Sequence, residues 1–138
     1  MPCCQSDKPA RKLRVVYDRD IHTQASHSAC KQKISLAGCC GGDELSPLDL
    51  LAIGLASCLM TVMGQAAVAR GLDIVGAKGE VDYDMADYRL TQISVRIQLP
   101  HALAPTARTK LEKASKTCPV YRALDPKLKV CVQYLWPE

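Results

Sequence analysis

Cysteines stand at positions 3, 4, 30, 39, 40, 58, 118 and 131 of this 138-residue chain. A thiol can act as a nucleophile, a metal ligand, a disulfide partner or a small core residue. Zinc modules pair their cysteines as CxxC, and no such pair occurs here. The adjacent pairs Cys3–Cys4 and Cys39–Cys40 are poorly placed to share one tetrahedral ion. A metal site drawing on His27, Cys30, Cys39 and Cys40 stays open as an alternative. His22, His27 and His101 show no metal-ligand spacing. Two cysteines differ from the rest in their surroundings. Cys58 sits inside the apolar run "LAIGLASCLMTVMGQ", and Cys118 sits in "TCPVYRAL", directly before a proline.

These settings predict different chemistry. Cys118 precedes Pro119, which suits the first position of a helix. Free backbone N–H groups there favour a thiolate. Cys58 lies about three turns into its helix, beyond the reach of the helix dipole. Burial among Leu and Met would raise its pKa. If Cys58 reacts, a cation must be delivered to it. Cys131 falls on the polar side of a strand, and the remaining cysteines fall in a tail or in weakly patterned segments. Met60, Met63 and Tyr121 could line an apolar pocket, although Met at helical spacing also suits a core.

The elements that must position these thiols follow from periodicity. Residues 1–10 read as a polar tail and 11–138 as a single domain. "RKLRVVY" predicts a first strand, and residues 18–37 one or two more. "GCCGGDELSP" is a loop. Ser46 as N-cap, Pro47 at the first helical position and Asp49 three residues after Ser46 predict a helix start with a capping box. The apolar pattern runs to Arg70, with Gly71 as the residue past the end. "VGAKGEVDYD" and "LTQISVRIQL" alternate with period two and predict an antiparallel hairpin turning near "MADY". A helix anchored by Leu111 follows Pro105, a short helical turn begins at Pro119, and "KLKVCVQYLW" is a closing strand. Strands, long helix, hairpin, helices and strand in that order predict an α+β fold, with an antiparallel sheet wrapped on the long helix.

Residues 50–69 carry no charge over a length that could cross a bilayer. Gln65, Ser57, Thr61 and several Ala and Gly make the run only modestly apolar. It lacks aromatic belts and cationic flanks, and the amphipathic strands need a partner. A central helix of a globular fold is therefore expected. A helix apolar all round must be covered on all sides, and one small sheet covers one side only. A second subunit is the economical cover, so a homodimer is expected.

Composition narrows the function. Hydrophobic residues make up 48% of the chain, enough for a core, while aromatics are 4% and Phe is absent, so aliphatic residues must fill it. The formal charge is +4, with Lys and Arg scattered, which argues against nucleic-acid binding. "MPCCQSDKPARK" has no apolar signal-peptide core. A cytoplasmic protein with reduced thiols is the expectation.

"SPLDLLAIGLASCLMTV", "GLDIVGAKGEVDYD", "TCPVYRAL" and the valine-rich last strand together resemble the OsmC/Ohr family of thiol-dependent hydroperoxide reductases, over residues 11–136. The resemblance implies an intertwined homodimer with its long helices at the centre. It implies Cys58 as the peroxidatic cysteine and Cys118 as the resolving one. No metal or flavin is needed, and a dihydrolipoamide-type dithiol recharges the Ohr branch. The family brings an arginine from the N-terminal strand region to the peroxidatic thiol. Arg19 is the positional match here, with Arg14 a second candidate. In Ohr members an acidic residue directly after the helix-opening proline holds that arginine. This chain has Leu48 there, with Asp49 and Glu44 nearby. Two other readings stay open: a non-catalytic OsmC-like module that binds an apolar ligand or senses redox state, and a metal-handling protein.

Overall fold

The computed structural model describes residues 13–27, 30–38 and 44–138, with Cys30 described by its backbone alone. The elements in chain order are β1 (Leu13–Tyr17), β2 (His22–His27), β3 (Cys30–Ala37), α1 (Pro47–Val68), β4 (Lys78–Ala86), β5 (Arg89–Gln98), α2 (Pro105–Ser115), α3 (Pro119–Ala123) and β6 (Lys129–Leu135). The fold is α+β. The chain forms two compact units, Met1–Leu51 and Ala52–Glu138.

In the first unit β1, β2 and β3 form an antiparallel sheet in that order. The β1–β2 turn carries Arg19 and is closed by Asp18 N–H donating to His22 O at 3.0 Å and His22 N–H to Arg19 O at 2.9 Å. Asp20 and Ile21 take left-handed backbone angles, φ 51° and 59°. That conformation is costly for a β-branched residue. Gly38 supports it: its N–H donates to Ile21 O at 2.8 Å. A Cβ on Gly38 would meet the Ile21 side chain at 3.0 Å, a tight fit that would make Ile21 shift by a few tenths of an ångström. Leu45 bridges Leu36 and leads the chain to α1. The capping box forms as its residues predict. Ser46 N–H donates to the Asp49 carboxylate at 2.8 Å, and Asp49 N–H to Ser46 Oγ at 3.1 Å.

In the second unit β4, β5 and β6 form a sheet in that order. The β4–β5 hairpin turns at Asp87 and Tyr88, φ 51° and 64°, the two left-handed residues of a type I′ turn. β6 joins β5 in parallel, pairing Ile93 with Val130, Val95 with Val132 and Ile97 with Tyr134. The other three strand pairings are antiparallel. A parallel pair needs a crossover, and α2 and α3 supply it. Period-two alternation places Ile93, Val95, Ile97 and Leu99 in the core, all at most 2% exposed. Val75 departs from the alternation expected of it and is exposed, because β4 begins only at Lys78.

Helix α1 presents Leu55, Ala56, Leu59, Met63 and Ala67 to this core, with Leu111 and Cys118 in the same cluster. Its opposite face is open, with Ile53 41% and Val68 76% exposed and Ser57, Thr61 and Gln65 between them. The helix is therefore buried along one stripe and uncovered along the other. It ends in a Schellman cap. Leu72 N–H donates to Ala67 O at 2.9 Å, Gly71 N–H to Val68 O at 3.1 Å, and Gly71 has φ +66°.

Candidate redox site

Cys58 lies on α1 at the border between the two stripes, between exposed Ser57 and buried Leu59, and is itself half-buried. Its surroundings are thus more open than the apolar run suggests. Cys118 is fully buried. It is the N-cap of α3, where its sulfur accepts the Tyr121 N–H at 3.2 Å and Pro119 opens the helix. Its own N–H donates to Ser115 O at 3.2 Å, and its carbonyl accepts Arg122 N–H at 3.1 Å. These bonds hold the thiol from both sides along the backbone.

Sixty residues apart in the chain, the two cysteines meet in the fold. Cys58 packs against the hydrophobic cluster that holds Cys118, close enough to influence its ionisation, and both are free thiols. Burial pushes the Cys118 thiol above the ordinary thiol range. The Tyr121 and Val120 amides pull it back in part, while Cys58 adds to the upward push. The helix-start position was expected to favour a thiolate, but desolvation outweighs the two amides, so Cys118 stays protonated at neutral pH.

Beside Cys118 lies a polar cluster that the sequence pattern does not reveal. Ser115, at the end of α2, is fully buried. Its hydroxyl donates to Glu112 O at 2.7 Å and forms a short hydrogen bond with the Tyr134 hydroxyl of β6. Tyr134 also approaches Glu112 O at 3.3 Å. The Glu112 carboxylate accepts the Trp136 indole N–H at 2.8 Å, and the Arg108 guanidinium lies over the Trp136 ring, 5.7 Å from its centroid. Burial pushes the Tyr134 hydroxyl up and the Ser115 hydrogen bond opposes this. Negative charge at Glu112, Tyr121 and Cys118 pushes it further up. In the sequence Tyr134 falls in phase with Val130 and Val132 of an alternating strand, which by itself marks only a core-facing position. The usable signal was chemical: a tyrosine turned inward buries a hydroxyl that must find a partner.

The other candidates fall as follows. Arg19 sits in the β1–β2 turn and Arg14 in β1, both in the first unit. Glu44 faces His22 at 3.6 Å, and the Asp49 carboxylate serves the helix cap. Cys131 is exposed on the sheet face turned from the core, among Glu80, Asp82, Ser94 and Arg96. Cys3, Cys4, Cys39 and Cys40 lie outside the described residues. Among the described residues no group of three His, Cys, Asp or Glu is placed to hold a metal ion. Met63 belongs to the core, whereas Met60 lines an open apolar groove of about 590 Å³ together with Ile53, Ser57, Thr61 and Val81.

A family model described as OsmC-like protein matches residues 40–133. No curated protein is detectably similar in sequence. Several solved structures share its fold. A Psychrobacter arcticus protein, whose name refers to osmotic stress induction and detoxification response, is 27% identical with TM-score 0.85, over 94% of this chain and 99% of that one. An organic hydroperoxide resistance protein OsmC of Legionella pneumophila is 14% identical with TM-score 0.72, over 92% and 97%. The organic hydroperoxide resistance protein OhrB of Bacillus subtilis is 16% identical with TM-score 0.65, over 90% and 96%. With two thirds of its length matched by the family model and its fold shared along nearly the whole chain, this protein belongs to the OsmC-like family.

Proposed function

We propose that this protein reduces hydroperoxides with the Cys58/Cys118 pair and is recharged by an external dithiol such as dihydrolipoamide. The observation that carries the reading is the pairing of a half-buried thiol with a fully enclosed one inside an OsmC-like domain. Of the pair, Cys58 alone presents surface to an incoming peroxide, so it is the attacking thiol. Its thiolate takes the terminal OH oxygen of ROOH, the O–O bond breaks, and the departing alkoxide takes a proton from solvent and leaves as ROH, giving Cys58–SOH. Cys118 then forms the S–S bond and water departs. A dithiol returns two electrons and two protons and becomes a disulfide itself. No metal or organic cofactor enters these steps. Arg19 is the proposed cation for the Cys58 thiolate, by its match to the family's arginine.

The uncovered face of α1, Ile53 to Val68, supports a homodimer in which a second copy covers it. The apolar lining of the neighbouring groove favours organic hydroperoxides over hydrogen peroxide. The test is peroxide consumption with dithiothreitol or dihydrolipoamide as reductant. Steady turnover that Cys58→Ser abolishes is expected. Absence of turnover, or full turnover in Cys58→Ser, refutes the proposal.

One observation favours a second reading. Leu48 replaces the acid that Ohr members place after the helix proline, and the apolar groove could hold a small ligand in a non-catalytic module. Mass spectrometry after one equivalent of peroxide separates the two. The reductase loses two hydrogens as a Cys58–Cys118 disulfide; a binding module does not.

A further inference from the structure

We infer that Tyr134 and Ser115 are positioning residues for the second half of this reaction, holding Cys118 where it can condense with the oxidised Cys58. The inference rests on the hydroperoxide reductase reading above. Ser115 works in two directions at once. Its side chain is tied to β6 through the Tyr134 hydroxyl. Its main-chain carbonyl accepts the Cys118 N–H at 3.2 Å. The segment between is short and closed on itself: Thr117 Oγ1 donates to Ala114 O at 2.7 Å and Thr117 N–H to the same oxygen at 3.0 Å. The resolving sulfur therefore hangs from the last turn of α2, and the Ser115–Tyr134 hydroxyl pair fastens that turn to β6 at the residue that holds Cys118, beside the Glu112–Trp136 bond.

The hydrogen count in this cluster is tight. Ser115 and Tyr134 own one hydroxyl hydrogen each, and three contacts join them to each other and to Glu112 O. Either Ser115 donates to Glu112 O while Tyr134 donates to Ser115, or Ser115 donates to Tyr134 while Tyr134 donates to Glu112 O. Removing the Tyr134 hydroxyl leaves Ser115 bonded only within its own helix, and removing the Ser115 hydroxyl leaves Tyr134 only its longer 3.3 Å contact to Glu112 O, so either change weakens the tie between the last turn of α2 and β6. Neither hydroxyl is asked to touch the peroxide or to exchange a proton with a sulfur. Each acts through the place it gives Cys118. Condensation forms the Cys58–Cys118 S–S bond and releases the sulfenic oxygen as water with one proton from Cys118. This step demands sulfur placement within a few tenths of an ångström, whereas the first step uses Cys58 alone.

The experiment is a partition measurement on the full-length protein. The protein is treated with one equivalent of tert-butyl hydroperoxide in the presence of dimedone. Mass spectrometry counts Cys58 captured as sulfenic acid against Cys58–Cys118 disulfide. Tyr134→Phe is expected to raise the captured fraction roughly five-fold, the factor typical of losing one hydrogen bond, with the rate of peroxide loss in the first turnover unchanged. Ser115→Ala is expected to move the partition the same way and serves if Tyr134→Phe does not fold. A wild-type partition in both variants overturns the positioning role while leaving the reductase reading intact. If Cys118→Ser protein exposed to the peroxide yields no dimedone adduct at Cys58, the reductase reading falls, and this inference with it.

Discussion

Cys118 is completely enclosed, and Cys58 stands half-open against it. This asymmetry assigns the two thiols different fates. A peroxide can reach one sulfur, and the other waits behind it. Replacing Cys118 by Ser should therefore leave the first chemical step intact. The expected outcome is one fast equivalent of peroxide consumed, followed by accumulation of Cys58 sulfenic acid, visible as a mass gain of one oxygen. Peroxide loss that depends on Cys118 but not on Cys58 would reverse the assignment.

The raised pKa of Cys118 sets a pH dependence with a definite sign. Burial keeps the thiol protonated, so the thiolate fraction grows tenfold per pH unit until the raised value is reached. Condensation needs the thiolate. Disulfide formation after a single peroxide dose should quicken by about tenfold per unit from pH 7 and keep rising beyond about 8.5, where an ordinary thiol levels off. The ionisable neighbours Cys58, Tyr121, Tyr134 and Glu112 contribute no positive charge that would reverse this. Stability runs the other way. A group whose folded pKa is raised contributes fully below its unfolded value and loses that contribution as pH rises through the folded one. Tyr134, also pushed up, extends the loss to still higher pH. Denaturant midpoints should fall from pH 8 to pH 11. A disulfide-formation rate that plateaus at or below pH 8 would contradict the buried-thiol picture.

Charge at Cys58 is the next test. Arg19 is the proposed cation, and a neighbouring opposite charge typically moves an ionisable group by one to three pKa units. Arg19→Ala should slow peroxide consumption by about tenfold or more, with a smaller loss for Arg19→Lys, which keeps the charge but not the planar fork. Arg14→Ala should leave the rate near wild type. Equal losses in Arg14→Ala and Arg19→Ala would point to net charge rather than one guanidinium.

The legible parts of the molecule are those written in local pattern. Ser46, Pro47, Asp49 and Gly71 mark both ends of α1 because capping chemistry is local. Ile93, Val95, Ile97 and Leu99 mark the core face of β5 because the strand period is two. The candidate thiols could be singled out because each sits in an unusual local setting. Their meeting was implied by the family resemblance alone and by no local pattern, since sixty residues separate them and they come together only in the tertiary cluster that holds Cys118. The sign of the Cys118 shift was not legible either. A helix start is visible in sequence, but the desolvation that outweighs it belongs to tertiary structure. The Ser115–Tyr134 pair escaped for the same reason: it joins α2 to β6, and nothing local to either element announces it.

One close approach ties the groove to the strand beneath it. A Cβ placed on Gly79 of β4 would lie 2.8 Å from Met60 Sδ, too close for both to stay. Met60 lines the groove and ends in a flexible thioether, so the side chain and not the backbone should give way. Gly79→Ala is then expected to cost about 1–2 kcal/mol through overpacking, lowering the melting temperature by several degrees. It should also push Met60 into the groove. The contact predicts a strong coupling between the two positions. In a Met60→Ala background the obstacle is gone, and Gly79→Ala should become neutral or stabilising, because alanine restricts the unfolded chain more than glycine does. Thermal melts of the two single variants and the double variant complete the cycle. A Gly79→Ala penalty that is the same in both backgrounds would show that the cost arises elsewhere than at the Met60 sulfur.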